Sequence, residues 1–235
     1  MSALTDEACR LIEQANEGER QVILAYLRER VPLHTLETEW NTTAEEILTA
    51  IARSSDLTLR GIRGILAEAV FEKRVLPPLE GDGWAAVKIV GDQAYDFLIE
   101  RAQIPARIQV KLQRKEKGVP KPYAARRRAS LKLPPGTMYV VEVQKTRSGT
   151  KNGEKTRPYR FGDFDILAVN LHAATGSWER FAFTVGSWLL PRETAPNLIE
   201  IMQPVPITPD EYWTDDLATC IEWFLSGAKK QLYSK

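Results

Sequence analysis

Apolar residues recur every three to four positions through residues 5 to 31, at Leu11, Ile12, Ala15, Val22, Ile23, Tyr26 and Leu27, the spacing of one helix face. Asn16-Glu17-Gly18 interrupts that stretch. A second helix opens at Thr43, where Thr43-Ala44-Glu45-Glu46 has the form of a capping box, and continues through Ile47, Leu48, Ile51 and Ala52. After the break at Ser54-Ser55-Asp56, a third runs from Thr58 to Arg74 with Ile62, Ile65, Leu66, Ala69 and Val70 as its stripe. The second and third helices, with Arg60 and Arg63 on the latter, fit either a helix-turn-helix or a small bundle packed on a main domain. Gly61 and Gly64 weaken a recognition helix and favour the bundle.

Beyond Pro77-Pro78 the pattern shortens to strand-length runs. They are Trp84 to Val90, Tyr95 to Ile99, Arg107 to Leu112, Met138 to Gln144, Asp165 to Leu171 and Phe181 to Val185. Turns are expected at Gly91-Asp92-Gln93, at Pro105 and at Ala173 to Gly176. The first three strands lie close enough in sequence for an antiparallel meander. Helical text returns at Ser187 to Leu190 and at Asp215 to Ser226. The aromatic tail segment from Trp213 to Leu225 fits a core helix or a partner surface.

Composition bounds the function classes. With 235 residues, 43% hydrophobic and 27% charged, the chain has material for one large domain, or for one domain and a small appendage. The longest apolar runs, such as Ile166 to Val169, fall far short of the roughly 20 residues of a membrane helix, and the N-terminus lacks the pattern of a signal peptide. The expectation is a cytoplasmic protein without membrane contact. Cys9 and Cys220 have no ligand-like spacing and read as core residues. His34 and His172 stand apart, so no Ser-His or Cys-His nucleophile set is present.

Charge is unevenly spread. Between Arg101 and Arg160 stand 17 lysines and arginines against three acids, Glu116, Glu142 and Glu154, and the rest of the chain has the opposite excess. That asymmetry is the footprint of a segment that meets a polyanion. The phosphate-binding candidates are Arg114, Lys115, the run Arg126-Arg127-Arg128, Lys145, Arg147 and Arg160.

The sharpest pattern is Asp96 followed thirteen residues later by Gln109-Val110-Lys111. Side chains alternate along a strand, so Gln109 and Lys111 share one face while Val110 points into the core. An Asp, an amide oxygen and an ammonium on one surface are what phosphodiester hydrolysis needs: hard oxygen ligands for Mg2+ and a cation beside the developing charge. The pair Glu142 and Gln144 on the later strand offers an alternative acid. Gln109 and Lys111 are preferred because their distance from Asp96 is typical of a hairpin.

Helix, meander, acid and then QxK, in that order, resembles the PD-(D/E)XK nuclease superfamily, which contains many restriction endonucleases. The likeness covers roughly residues 58 to 190. It implies an α/β fold, a mixed β-sheet flanked by helices, with residues 1–57 as an N-terminal helical region and 58–235 as the nuclease domain. It also implies an acid on the helix before the sheet, which Gly64-Ile65-Leu66-Ala67-Glu68 supplies as Glu68. Tyr159 to Val169 resembles the strand that often follows in QxK variants. The chain departs from the name-giving pattern in two places, since no Pro precedes Asp96 and Gln109 replaces an acid. An amide oxygen still ligates Mg2+, but without negative charge. The implied activity is Mg2+-dependent cleavage of double-stranded DNA by a type II restriction-like endonuclease. Asp96, Glu68, Gln109 and the Val110 carbonyl would hold metal, with Lys111 as the catalytic cation. A homodimer is expected from duplex cleavage. The alternative is a non-catalytic helix-turn-helix regulator with a degenerate site.

Overall fold

The computed structural model describes residues 2–28, 30–32, 34–124, 131, 133, 138–145, 150–151 and 154–233. The chain divides into two compact units, Met1–Arg60 and Gly61–Lys235. The first holds α1 (Ala3–Gln14), α2 (Glu17–Arg28), α3 (Thr35–Trp40) and α4 (Ala44–Ala52). The interruption at Asn16 is a capping box: Glu19 N–H donates to Asn16 Oδ1 at 3.0 Å and Asn16 N–H to the Glu19 carboxylate at 2.9 Å. Thr43 and Glu46 repeat the device at α4. The sequence pattern gives no sign of α3, because its cap is unusual: His34 Nδ1 accepts from Leu36 N–H at 3.1 Å.

α5 (Asp56–Val70) follows and widens at its end into a π-helical turn, Phe71–Val75. The strands of the second unit then come in chain order. β1 (Ala85–Val87), β2 (Phe97–Arg101) and β3 (Ile104–Leu112) form the expected antiparallel meander. β4 (Lys115–Glu116) and β5 (Val119–Pro120) make a short hairpin, β6 (Met138–Glu142) follows, and β7 (Thr150–Lys151) and β8 (Glu154–Lys155) make a second hairpin. β9 (Ile166–Asn170), β10 (Phe181–Val185), β11 (Pro191–Arg192), β12 (Ala195–Ile199) and β13 (Met202–Pro206) complete the set.

The central sheet has the order β1-β2-β3-β9-β10 and is mixed, as the sequence implied: β3 and β9 run parallel, every other pair antiparallel. All five β9 residues are buried, because the sheet is covered on both faces. Ile166 and Ala168 join Ile108, Val110, Phe71 and the C-terminal helix Leu217–Leu225 in one core; Leu167 and Val169 join Val140, Val141, Tyr159 and Phe164 in the other. The second core is roofed by β6 paired with β13. Asp165 fixes the entry of β9 against β3, accepting from the Arg107 amide at 2.9 Å and from its guanidinium at 2.8 and 2.7 Å.

Several sequence expectations need correction. Pro105 lies inside β3, paired with Glu100, and the turn is Ala102-Gln103, both in the left-handed region with φ of 50° and 65° as a two-residue hairpin demands. Ser187 to Leu190 makes only a 3-10 turn (Gly186–Trp188) before the chain extends into β11. Ala173 to Gly176 is the end of a short helix, His172–Thr175. The tail reads as core: Trp213, Leu217, Cys220 and Ile221 are buried. Cys220 is thus a core residue as expected, but Cys9 is exposed on α1. Among the described residues no helix is long and apolar enough to cross a membrane.

Candidate active site

The site forms where β2 parts from β3. Phe97 pairs with Ile108, and Asp96 N–H still donates to Ile108 O at 3.0 Å, but the ladder ends there. The amide and carbonyl of Val110, two residues beyond Ile108, therefore turn to side chains. Val110 N–H donates to Asp96 Oδ2 at 2.8 Å, and Val110 O accepts from Gln109 Nε2 at 3.1 Å. The same Gln109 nitrogen donates to Asp96 Oδ2. On the other side of the amide, Tyr159 Oη donates to Gln109 Oε1 at 2.9 Å. Gln109 is 1% exposed and all its polar atoms are engaged, as a buried amide requires.

Lys111 follows on the same strand face, its Nζ 5.5 Å from the centre of the Tyr159 ring. Lys145 Nζ lies 5.3 Å from the same ring and 3.5 Å from Asp163. Two ammonium groups thus border one aromatic ring at a distance where attraction to its electron-rich face is felt.

Glu68, on α5, lies within electrostatic reach of Asp96 and Lys111. Burial pushes the Glu68 carboxyl up to about 7, the Asp96 charge adds to the rise, and Lys111 opposes it. Burial also raises Asp96, against the pull of Lys111, the Val110 amide and Gln109. Lys111 is lowered by desolvation, with Asp96 and Glu68 resisting. Two partly buried carboxylates face one ammonium, so negative charge is under-compensated.

That donor set fits a hard divalent ion. Glu68 and Asp96 would supply charged oxygens and the Val110 carbonyl a neutral one, and Gln109 would add a second if its amide turned over. The fit shows in what stands there: Gln109 Nε2 bonds to both Asp96 Oδ2 and Val110 O, a partial positive charge between two ligand-type oxygens. Among the described residues no group of three His, Cys, Asp or Glu could hold a metal. A metal here would depend on two acids completed by amide and carbonyl oxygens.

The outlying candidates divide. Arg114 is paired with Glu142, which also accepts from Gln144, so the alternative acid is engaged away from Asp96. Half-buried Arg114 is thus engaged by an acid in this structure. Lys115 stands exposed on the β4–β5 hairpin, and Arg160 is exposed beside the turn that its amide makes with Asp163. Arg126, Arg127, Arg128 and Arg147 lie outside the described residues. Sequence reasoning missed Tyr159 as a site residue. It stands 50 positions from Gln109, and its one local signal is an aromatic just ahead of the Arg160 to Asp165 stretch.

No family model matches the sequence, and no curated protein matches it. Among solved structures, a bacterial homing endonuclease, I-Ssp6803I, aligns with 74% of this chain and 96% of its own at 18% identity and a TM-score of 0.37.

Proposed function

We propose that this protein is a Mg2+-dependent endodeoxyribonuclease that hydrolyses phosphodiester bonds of double-stranded DNA, of the type II restriction kind, with the PD-(D/E)XK centre in its QxK form. The observation that carries the reading is the bonding of Asp96 to Gln109 and the Val110 amide at the opening between β2 and β3, with Glu68 and Lys111 within electrostatic reach of Asp96. The meander followed by a parallel fourth strand supports it.

Bound Mg2+ would supply a Lewis acid for the scissile phosphate and lower the pKa of an attacking water. Asp96, Glu68, Gln109 and the Val110 carbonyl are the residues to hold it. Lys111 orients the water and offsets charge growing on the phosphate. Its proton is easier to release than that of a solvated lysine, because desolvation lowers its pKa. Lys115, Lys145 and Arg160 contribute sequence-independent phosphate contacts, together with Arg126, Arg127, Arg128 and Arg147. Two such sites in a homodimer would cut both strands.

The test incubates supercoiled plasmid and genomic DNA with the protein in Mg2+ or in Ca2+. Nicking in Mg2+ that falls by about 10²–10⁴ in Lys111→Ala supports the assignment. Tight binding of varied DNA without cleavage would replace it with the non-catalytic regulator, whose helix-turn-helix would lie in residues 43 to 74.

A further inference from the structure

We infer that Tyr159 is a positioning residue that latches the Gln109 amide in its nitrogen-inward orientation and so holds down the affinity of the site for a divalent ion. The inference builds on the metal-dependent nuclease reading and concerns the same site.

The orientation of the amide follows from its partners. The Asp96 carboxylate and the Val110 carbonyl are acceptors, so the amide atom that faces them both is the nitrogen. The oxygen then faces Tyr159, whose hydroxyl donates to it at 2.9 Å. To ligate a cation, the amide must turn over and bring Oε1 to the side of Asp96 and Val110. The nitrogen would then face Tyr159 Oη, which can accept but loses the place for its own proton. Among the described residues Gln109 Oε1 is the acceptor that this hydroxyl reaches, and Tyr159 is 4% exposed. A phenol hydroxyl is protonated at neutral pH and needs an acceptor. An orphaned buried donor is costly, so the hydroxyl favours one amide orientation over the other. Metal must displace the amide nitrogen against that preference.

Tyr159→Phe removes the hydroxyl and keeps the ring, with its edge contact to Phe164 at 5.3 Å and its exposure to both ammonium groups. The experiment uses the full chain and Ca2+, read by calorimetry rather than by cleavage, with Asp96→Asn as the control for site binding. Tyr159→Phe should bind Ca2+ about fivefold more tightly than the wild type, the worth of one neutral hydrogen bond. In EDTA, the Gln109 carboxamide protons, assigned by their absence in Gln109→Glu, should lie downfield because they bond a carboxylate. Equal or weaker Ca2+ affinity in a folded Tyr159→Phe, or carboxamide protons that show no such displacement in the wild type, overturns the latch and leaves the nuclease reading standing. If neither protein shows binding that depends on Asp96, the latch and the metal reading fall together.

Discussion

Gln109 donates its side-chain amide to the carboxylate of Asp96 across the mouth of β2 and β3. The donor is a neutral stand-in for positive charge. Gln109→Glu removes it and sets a third carboxylate beside Asp96 and Glu68. In EDTA at pH 8 the variant should lose about 1–3 kcal/mol of stability, the range for a buried acceptor left without its donor. In Mg2+ the added charge should tighten metal binding and recover that loss. Urea denaturation with and without Mg2+ checks both, and a variant equally stable in the two conditions would contradict the role given to Gln109.

Glu68 gives a pH dependence with a definite sign. Its folded-state pKa of about 7 lies above the ordinary carboxylate value of 4.5, so between those values the folded chain holds a proton that the unfolded chain has released. Metal-free stability therefore falls as pH rises through that window and levels off above it. Asp96 is raised in the same direction. Glu68→Gln should raise the Tm in EDTA at pH 8 and leave it nearly unchanged at pH 4.5. The wild type should bind Ca2+ more weakly below pH 7, by up to about tenfold per unit, because the ligand must be deprotonated. Thermal melts and calorimetry at pH 6 and 8 measure the two effects.

Asp96, Gln109 and Lys111 were legible because strand alternation and hairpin spacing are local, and the period of two alone sets Gln109 and Lys111 on one face. Glu68 was legible from its place on the helix preceding the sheet. Tyr159 was not, since it lies 50 residues from Gln109 and is held by long-range bonds, its carbonyl accepting from Ile199 N–H at 2.9 Å. The pairing of Arg114 with Glu142 was hidden for the same reason: it depends on the bridge between Gln113 and Val141, 28 residues apart. β12 and β13 escaped notice because Pro196, Pro204 and Pro206 demote a run as strand. β13 tolerates two prolines because it pairs with β6 alone.

The Arg107–Asp165 pair ties β3 to β9 just below the site, and Asp165 also accepts the Arg107 backbone amide. Asp165 is mostly buried while Arg107 is one-third exposed, so solvent weakens the ionic part and the hydrogen bonds carry more of it. Asp165→Ala should cost about 2–3 kcal/mol by leaving a guanidinium and an amide without their acceptor. Because the register of Ile108 on Ile166 begins at this pair, Ca2+ affinity should fall as well. Chemical denaturation gives the first quantity and calorimetry the second. A stable variant with weakened metal binding would show that the pair orients the strands more than it holds them.

Arg114 and Lys115 are adjacent in sequence and should behave differently on DNA. Lys115 is exposed on the β4–β5 hairpin, whereas Arg114 is half-buried against Glu142, and its amide donates to Val140 O at 2.9 Å. Lys115→Ala should weaken DNA binding evenly across sequences and lower the slope of log Kd against log salt by about one, because one counterion-releasing contact is lost. Arg114→Ala should leave that slope unchanged and lower stability instead, since it strands the Glu142 carboxylate at the edge of the second core. Fluorescence anisotropy on a labelled duplex at several salt concentrations, beside thermal melts, separates the two. A reduced salt slope for Arg114→Ala would mean that this guanidinium leaves Glu142 when DNA arrives and is one of the phosphate contacts.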